Sequence, residues 1–296
     1  MSSPLIVVAG ATGQLGQTLS QCWAESPLSD YQFEALDRSK LDISQADRAL
    51  AVLSELKPAV IVNAAAYTQV DKAEADSVAA YSVNAEAAGR IASWTAENDA
   101  KLIHISTDFV FDGSSKTPYS IDHQTNPLGA YGASKLAGEH EIQAQAKQSS
   151  AIIRTSWLYC EYGNNFLKTM LRLMGERDQL SVVNDQIGSP SSAHGLAALI
   201  FAMISKDSYQ GIYHWSDGAS ISWYEFAQEI QNQAIQEGLL NRAIPISPIS
   251  TSEYPTPAQR PAYSVLDRSR TMAEFDCPSV DWKQQLNRVL KKLASR

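Results

Sequence analysis

Short apolar runs alternate with stretches of helical periodicity over the first 156 residues, and this alternation limits the possible folds more than any other feature. Continuously apolar strands indicate a parallel sheet that helices cover on both faces. The predicted strands are residues 5–10, 33–37, 59–66, 101–107 and 150–156, and the predicted helices are residues 14–24, 44–57 (with Ser44 as N-cap), 75–98 and 131–147. This half therefore predicts an α/β fold with a doubly wound parallel sheet.

The pattern becomes less regular after residue 156. The predicted elements there are helices at 164–175, 192–205, 223–236 and 281–294, strands at 180–184 and 211–215, and a proline-rich stretch at 244–261. We predict a first domain of residues 1–156 and a smaller, irregular α/β lobe formed mainly by residues 157–296, with segments near 180–210 returning to the first domain. Open α/β sheets bind ligands at the carboxyl ends of their strands, so we expect the lobe to lie over that edge.

Composition and charge exclude several classes of protein. The 296 residues carry a formal net charge of −8, and such an acidic chain lacks the basic surface needed to bind long nucleic acid. No apolar run approaches the roughly 20 residues that span a bilayer, so we expect no membrane contact. The N-terminal residues lead straight into a strand, without a basic region followed by a small-residue cleavage site, so we expect no signal peptide. Cys22, Cys160 and Cys277 are far apart and outside any CxxC pair. We therefore expect a cytoplasmic protein without a disulfide framework or a zinc site.

The motif GATGQLG follows the first strand and opens the first helix. Its glycines, Gly10, Gly13 and Gly16, allow a tight turn and a close approach of the backbone to a pyrophosphate, and the helix N-terminus supplies unpaired N–H groups. The spacing GxxGxxG differs from the GxGxxG fingerprint, but strand, glycines and helix occur in the required order. The sequence predicts a Rossmann-type dinucleotide-binding domain for NADH or NADPH.

Asp37 and Arg38 end the second strand, where a dinucleotide fold places the residue that contacts the adenosine ribose. An aspartate there accepts a hydrogen bond from a ribose hydroxyl and favours NAD, whereas an arginine pairs with a 2′-phosphate and favours NADP. Both residues are present, and we expect a slight preference for NADPH. Asp42 and Ile43 follow shortly and are candidates for the adenine side.

Polar and small side chains follow the third and fourth strands. Ala65, Ala66, Tyr67 and Thr68 come after the third strand, where alanines leave room for a flat ring and the two hydroxyl-bearing side chains can contact a ligand. Close packing of strand and helix is an alternative explanation for the alanines. Ser106, Thr107 and Asp108 end the fourth strand at the same edge of the sheet, where hydroxyls can orient a substrate carbonyl.

Tyr131 and Lys135 stand four residues apart in YGASKLAGE, on one face of a predicted helix. A free tyrosine has a pKa near 10, which is too high for efficient proton exchange at neutral pH. A cation at roughly 4 Å in an effective dielectric near 20 favours tyrosinate by at most about 4 kcal/mol, or roughly three pKa units. We therefore predict that Lys135 lowers the pKa of Tyr131, which would act as the proton-transferring group.

Together these motifs resemble those of the extended short-chain dehydrogenases/reductases that modify nucleotide sugars. The matching stretches are GATGQLGQ, NAAAYTQVDKAE, STDFVFDG, YGASKLAGE, RTSWLY, GNNF, NDQIGSP and RPAYSVLD, which extend over nearly the whole chain. The resemblance implies that NAD(P)H delivers hydride to C4 of dTDP-4-dehydro-L-rhamnose, giving dTDP-L-rhamnose for a cell-surface polysaccharide. Its partner would thus be a small-molecule nucleotide sugar.

The resemblance also implies roles for individual residues. Tyr131 would donate the proton, Lys135 would hold the nicotinamide ribose, and Thr107 would hydrogen-bond the sugar oxygen. The implied cofactor contacts are Gly13, Gln14 and Leu15 at the pyrophosphate, Asp42 and Ile43 at the adenosine, and Ala66, Tyr67 and Thr68 at the nicotinamide half. The implied substrate contacts are Asp108 and Trp157 at the sugar, and Asn165, Lys168 and Arg260 at the deoxythymidine diphosphate. Alternatively, Trp157 belongs to the core, and Arg260 braces the lobe by hydrogen-bonding backbone carbonyls.

Two positions depart from the family pattern. Phe109 replaces a tyrosine in STDFVF, and His194 stands where some members have a glutamate that takes part in a metal-linked dimer. We therefore predict no required metal and a monomer or homodimer. Two other functions stay open: another nucleotide-sugar 4-keto reductase or epimerase, and a non-catalytic NADP-binding regulatory subunit.

Overall fold

The computed structural model describes residues 3–277 and 281–296. Its strands are β1 (Leu5–Ala9), β2 (Gln32–Leu36), β3 (Val60–Asn63), β4 (Lys101–Thr107), β5 (Ser150–Thr155), β6 (Leu158–Tyr159), β7 (Leu180–Val183), β8 (Ile187–Gly188), β9 (Ser191–Ser192), β10 (Gly211–Trp215), β11 (Ile221–Ser222) and β12 (Ile246–Ile249). Its α-helices are α1 (Gln14–Cys22), α2 (Ala46–Leu56), α3 (Val70–Ala73), α4 (Ser77–Tyr81), α5 (Ala87–Glu97), α6 (Ala130–Ala146), α7 (Phe166–Glu176), α8 (Ala193–Lys206), α9 (Trp223–Gln236), α10 (Ser269–Phe275) and α11 (Trp282–Ala294).

The main sheet is parallel throughout its described strands, in the order β2-β1-β3-β4-β5-β10. The chain runs outward from β1 to β2 and then crosses to β3 on the other side of β1. This reversal is the topological switch point at which open α/β sheets bind ligands. The predicted fold class is confirmed, and the loops after β1 and β3 therefore flank one crevice.

Both faces of the sheet are buried. Alternate strand residues such as Ile6 and Val8 point to one face, against α1 and α8, while Val7 and Ala9 point to the other, against α2, α5 and α6. This two-sided burial explains why the strands are apolar without alternation. Helix α8 and strand β10 return to this sheet after the chain has entered the lobe.

The lobe has a hydrophobic core of its own. Helices α7, α9 and α11 pack around Tyr159, Phe226 and Leu286, and β7 pairs with β12 beside them. The other lobe pairings, β11 with β8 and β6 with β9, are only two residues long. No helix in the described ranges has the length and apolar character needed to cross a membrane.

Three predicted elements differ from the observed ones. The predicted helix at 75–98 is α4 and α5 joined by a π-helical turn at Ser82–Glu86. Ser44 is not the N-cap of α2, because Gln45 occupies that position and the Ser44 hydroxyl instead donates to Asp42 Oδ1 at 2.6 Å. The predicted strand at 59–66 is shorter because the three alanines leave the sheet and enter the crevice.

The observed 3₁₀ turns are Trp23–Glu25, Asp108–Val110 and Thr251–Glu253.

Helix α6 lies unusually close to its neighbours. A Cβ at Gly132 would stand 2.2 Å from the carbonyl oxygen of Phe109, and a Cβ at Gly138 would stand 2.0 Å from that of Asn84. Both distances are far below a van der Waals contact, so neither position tolerates a side chain without displacing the helix. The close approach carries the polar side chains of α6 into the interior of the protein.

A buried ion pair fixes α6 to β5. Arg154 Nη2 lies 2.6 Å from Glu139 Oε2, Arg154 Nε lies 2.9 Å from Glu139 Oε1, and the two side chains are 3% and 1% exposed. Ser106 on β4 donates a further hydrogen bond to the Glu139 carboxylate. Because both charges have lost their water, each depends on the other for solvation.

Removal of Glu139 should therefore destabilise the protein strongly. We expect Glu139→Ala to lower the free energy of unfolding in urea by roughly 3–5 kcal/mol, since Arg154 would remain as an unpaired buried charge. The matched control is Glu176→Ala in α7, whose exposed pair with Arg172 at 2.8 Å should contribute about 0.3–0.5 kcal/mol. Equal losses of unfolding free energy in the two variants would contradict the conclusion that the buried Glu139–Arg154 pair leaves an uncompensated charge when it is broken.

Candidate active site

A cavity of about 970 Å³ opens at the carboxyl edge of the main sheet, between the sheet and the lobe. The turn after β1 forms one end, the loop after β3 and the end of β4 form the floor, and the segment 155–158 forms the side next to the lobe. The predicted site residues that line it are Gly10, Gly13, Gln14, Leu15, Arg38, Asp42, Ile43, Ala65, Ala66, Tyr67, Thr68, Thr107, Asp108, Tyr131, Lys135 and Trp157.

The glycine-rich turn is shaped by close contacts. Gly10 has a φ of +94°, and a Cβ there would stand 2.9 Å from the backbone nitrogen of Ala65. Gly16 lies beneath the turn, where a Cβ would be 2.2 Å from the Gly10 carbonyl oxygen. Gly13 is the N-cap of α1 and has no side chain to cap the helix, so the first N–H groups of α1 face the cavity. This arrangement can bind an anionic group such as a pyrophosphate.

The far end of the cavity contains Arg38 and Asp42. Arg38 Nε lies 2.9 Å from Asp42 Oδ2, and the Arg38 side chain is 79% exposed. Asp37 does not line the cavity, because its carboxylate accepts from the backbone nitrogen and the hydroxyl of Ser39, which also lower its pKa. Of the two predicted ribose-contacting residues, only Arg38 therefore faces the space where a ligand would lie.

The π-helical turn supports the loop after β3. Its Asn84 side chain accepts from the backbone nitrogen of Tyr67 at 2.9 Å and donates to the carbonyl oxygen of Tyr67 and to the hydroxyl of Ser134. The extra residue of a π turn redirects the side chains around it. Asn84 thus holds the cavity loop against α6 through both polar groups of the Tyr67 backbone.

Thr107 and Asp108 form a buried polar pair at the end of β4. The Thr107 hydroxyl lies 3.1 Å from Asp108 Oδ1 and also accepts from the backbone nitrogen of Phe109. Burial raises the pKa of Asp108 to about 6, because a carboxylate in this position has lost most of its water. Near neutral pH, Asp108 can therefore accept a hydrogen bond from a ligand hydroxyl and can be protonated in mild acid.

Tyr131 lies at the start of α6, where its ring meets that of Phe109 edge to face at 5.6 Å. Burial raises its pKa to about 12, and a hydrogen bond with Thr107 opposes part of this effect. The prediction that Lys135 lowers the pKa of Tyr131 is wrong in this geometry, because the Lys135 ammonium is directed elsewhere. The phenol is consequently fully protonated at neutral pH.

Lys135 is buried behind Tyr131. Its Nζ donates to the carbonyl oxygen of Ile105 at 2.6 Å and lies 3.0 Å from His104 Nε2. Burial lowers the pKa of Lys135 to about 8, and the charge of Glu139 one turn further along α6 works in the opposite direction. The site thus combines a protonated phenol with an ammonium group that gives up its proton far more easily than the phenol does.

Trp157 forms the wall next to the lobe. Its ring stacks on that of Trp223 with 3.4 Å between centroids, and a Cβ at Gly188 would lie 2.6 Å from the indole. The Trp157 backbone has a φ of +45°, which is strained for a bulky residue. This conformation directs the ring to a place where it lines the cavity and also packs against the lobe core.

The structure gives the three predicted diphosphate-binding residues other partners, and none of them lines the cavity. Asn165 caps α7 and donates to Gln14 Oε1 at 2.8 Å, while Lys168 Nζ donates to the Gly163 carbonyl oxygen. Arg260 pairs with Asp71 at 2.8 Å and donates to the Ala258 carbonyl oxygen. The bracing role considered for Arg260 is the one this geometry favours.

His194 also has a partner within the protein. Its Nε2 lies 2.8 Å from Glu161 Oε2, both side chains are buried, and Lys292 approaches the same carboxylate at 3.6 Å. In the part of the chain that the structure describes, no cluster of three or more His, Cys, Asp or Glu side chains is arranged to hold a metal ion.

Several polar residues were not predicted from the sequence: the cavity is also lined by Thr12, Gln69, Lys72, Thr155, Ser156 and Asn164, and two more lie buried behind it. Asn63 and His104 are partners in the register of β3 and β4, and both are buried next to Lys135. The signal available was a histidine between Ile103 and Ile105 in β4, on the same face of the sheet as Leu102 and near the carboxyl edge.

Comparisons with known proteins agree with this geometry. Residues 4–295 match the family described as RmlD substrate binding domain. The dTDP-4-dehydrorhamnose reductase of Aggregatibacter actinomycetemcomitans is 38% identical over 289 residues, which are 96% of this chain and 97% of that protein. A probable dTDP-4,6-dihydroxy-2-methyloxan-3-one 4-ketoreductase of Streptomyces antibioticus is 36% identical over 95% of this chain and 92% of its own length.

A solved structure shows the same architecture. The dTDP-4-dehydrorhamnose reductase of Bacillus anthracis str. Ames in complex with NADP superposes with a TM-score of 0.91. It is 38% identical, and the match covers 98% of this chain and 99% of that one.

The raised pKa of Asp108 has a consequence for stability. The Asp108 carboxyl binds its proton more tightly in the folded protein (pKa about 6) than in the free side chain (3.8). Its stabilising contribution to the free energy of unfolding is therefore fully present below about pH 4 and is lost as pH rises through 6. We expect the stability of Asp108→Asn relative to the parent to improve by about 3 kcal/mol between pH 4 and pH 8.

Urea unfolding of both proteins across this range measures the effect. The matched control is Asp112→Asn, because hydrogen bonds from Ser114 lower the pKa of Asp112 to about 2 and the sign reverses. That variant should lose stability relative to the parent as pH rises from about 2 to 4, and the difference should be nearly constant between pH 4 and pH 8. A pH-independent difference for Asp108→Asn would contradict the burial argument.

Proposed function

The chain belongs to the RmlD substrate binding domain family, and we propose that it reduces the C4 keto group of dTDP-4-dehydro-L-rhamnose to dTDP-L-rhamnose with NAD(P)H. The observation that carries the proposal is the convergence of Tyr131, Lys135 and Thr107 on one side of a cavity whose other end is a glycine-rich turn at a helix N-terminus. A ketone placed beside the phenol would lie within reach of a dinucleotide that extends from that turn.

NAD(P)H, when bound, supplies the hydride that reduces C4. The glycine turn and α1 would hold its pyrophosphate, and Asp42 and Ile43 would lie at the adenosine end. Ala65, Ala66, Tyr67 and Thr68 would contact the nicotinamide half, since all of them line the cavity between that turn and Tyr131. Within the described chain, these residues form a continuous surface from the end of β2 to the start of α6.

Tyr131 completes the reduction by donating the proton. The hydride forms the new C–H bond and leaves an alkoxide at the former carbonyl oxygen, which takes the proton from Tyr131 Oη. The raised pKa of Tyr131 keeps the phenol protonated until an alkoxide forms beside it. Thr107, which lines the same part of the cavity, would orient the substrate oxygen.

Asp108 and Trp157 would position the sugar. The buried Asp108 carboxylate can accept from a sugar hydroxyl, and Trp157 presents a flat apolar surface fixed by Trp223. We propose residues 1–156 as the cofactor-binding domain and residues 157–296 as mainly the substrate-binding lobe, with α8 and β10 returning to the sheet. Binding of the diphosphate by Asn165, Lys168 and Arg260 stays a prediction. Each of these side chains has a partner within the protein.

A second candidate function is the reduction of another dTDP-linked 4-keto sugar. The Streptomyces antibioticus relative has a different named substrate and is nearly as similar to this chain as the Aggregatibacter reductase is. The orientation of the sugar over the nicotinamide decides between the products, so NMR of the product distinguishes the two functions.

Three further properties belong to the same proposal. The free thiols of Cys22, Cys160 and Cys277 and a nucleotide-sugar substrate support a cytoplasmic location. The pairing of His194 with Glu161 supports a monomer or homodimer that needs no bridging metal. Sedimentation velocity with and without a chelator tests the last point.

The central test is a variant that lacks the acid. With dTDP-4-dehydro-L-rhamnose and NADPH, we expect Tyr131→Phe to reduce the turnover number by roughly 10²–10⁴ while NADPH binding is retained, because only the transferred proton is lost. The matched control is Tyr254→Phe, whose side chain is exposed on the lobe. No turnover by the parent protein with this substrate, despite NADPH binding, would remove the rhamnose assignment.

The position of Arg38 predicts a preference for NADPH. An exposed guanidinium at the adenosine end can pair with a 2′-phosphate, and such a charged hydrogen bond contributes about 1.5–3 kcal/mol. We expect Arg38→Ala to raise the dissociation constant of NADPH by roughly 10- to 100-fold and to leave that of NADH nearly unchanged. Fluorescence titration with both cofactors measures this, with Arg172→Ala as the control. Equal weakening of both cofactors would contradict the role.

A further inference from the structure

His104 is a buried histidine whose two ring nitrogens both face polar side chains. Its side chain lies in β4 and is 1% exposed, with Nδ1 at 3.1 Å from Asn63 Nδ2 and Nε2 at 3.0 Å from Lys135 Nζ. Burial and the charge of Lys135 lower the pKa of His104 well below its ordinary value, so the ring is neutral and carries one proton. The position of that proton decides which of the two contacts is favourable.

Asn63 determines where the proton lies. The backbone nitrogen of Ala65 donates to Asn63 Oδ1 at 3.2 Å, which fixes the orientation of the amide and leaves its NH₂ group directed at His104. An amide NH₂ can only donate, so His104 Nδ1 must accept. The single proton of the ring is therefore on Nε2, directed at Lys135.

This arrangement constrains Lys135. An ammonium has three donor hydrogens and no acceptor, so Nε2–H against a charged Lys135 would place donor against donor. A neutral amine retains two hydrogens, one for the Ile105 carbonyl oxygen, and has a lone pair that accepts from Nε2–H. The hydrogen-bond network from Ala65 to Lys135 is complete only when Lys135 has lost its proton.

We propose that His104 is a positioning residue for the reduction, which holds the Lys135 side chain and stabilises its neutral amine by donating from Nε2. The proposal rests on the proposed function for its catalytic consequence. After Tyr131 Oη has given its proton to the substrate alkoxide, the tyrosinate regains a proton from the Lys135 ammonium, which becomes a neutral amine. His104 stabilises the amine that this second transfer leaves, and solvent restores the proton when the product departs.

The two pKa values agree with the direction of that transfer. The phenol of Tyr131 has a pKa of about 12 and the ammonium of Lys135 a pKa of about 8, so the tyrosinate is a much stronger base than the Lys135 amine and the proton moves from the ammonium to the tyrosinate. The other charged groups near Lys135 are Glu139 on its own helix and Asp108 at the end of β4. Glu139 is bound to Arg154 and Ser106, and Asp108 to Thr107, so neither replaces His104 as the partner of the amine.

The position of the ring proton can be measured in the unaltered protein. NMR of ¹⁵N-histidine-labelled protein distinguishes a protonated ring nitrogen from an unprotonated one, and we expect His104 to carry its proton on Nε2. His214 on β10 is the internal reference, because it is equally buried but its Nδ1 lies 3.1 Å from the Tyr119 carbonyl oxygen and must donate. The two histidines should therefore show opposite tautomers. A proton on Nδ1 of His104 would overturn the proposal.

The effect on Lys135 is measured by titration of its ¹³Cε resonance in lysine-labelled protein. In His104→Gln the side-chain amide can turn its oxygen to an ammonium, which favours the charged form. We expect Lys135 to titrate about one pH unit higher, an about tenfold change in its acid dissociation constant, and the alkaline limb of the pH–rate profile to move with it. His214→Gln should leave both unchanged.

These outcomes separate the proposal from the proposed function. An unchanged Lys135 titration in folded His104→Gln would overturn the role of His104 even if the protein reduces the sugar. Failure to reduce the sugar would overturn the proposed function. It would not affect the His104 tautomer or the Lys135 titration, because both are measured without substrate. If His104→Gln does not fold, the tautomer in the unaltered protein still decides the matter.

Discussion

The close approach of α6 to β4 is the constraint on which the rest of the site depends. Gly132 and Gly138 let the helix backbone touch the carbonyl oxygens of Phe109 and Asn84, and no larger residue allows the same distance. Tyr131, Lys135 and Glu139 then follow one another at intervals of four residues along the buried face. The phenol reaches the cavity, the amine lies behind it, and the carboxylate is held against β5.

The two buried ionisable side chains on this face of α6, Glu139 and Lys135, are stabilised in different ways. Glu139 keeps its charge because Arg154 supplies the opposite one at hydrogen-bond distance. Among the described residues, the hydrogen-bond partners of Lys135 are neutral, namely His104 and a carbonyl oxygen, and its charge is accordingly less stable. The fixed ion pair anchors the helix, whereas the amine one turn earlier is free to change its protonation.

Much of the fold and part of the site could be predicted from the sequence because their signals are local. Buried strands are apolar runs, and Gly10, Gly13 and Gly16 follow directly from the turn that a pyrophosphate requires. The pKa of Tyr131 could not be predicted, because spacing along α6 gives no information on where the Lys135 ammonium turns once His104 and Ile105 are beside it. Arg260 likewise has a partner, Asp71, that is 189 residues away in sequence.

The π-helical turn at Ser82–Glu86 gives the cavity loop its attachment, and it consists of one residue more than an α-helix would need. Each residue of an α-helix advances its side chain by about 100° around the axis. Loss of a single residue here would restore regular helix, and if α5 keeps its apolar contacts with the sheet, Asn84 would turn away from Tyr67 and Ser134. The length of this turn therefore determines a polar attachment: a one-residue deletion would detach the loop after β3 from α6, the helix that carries Tyr131.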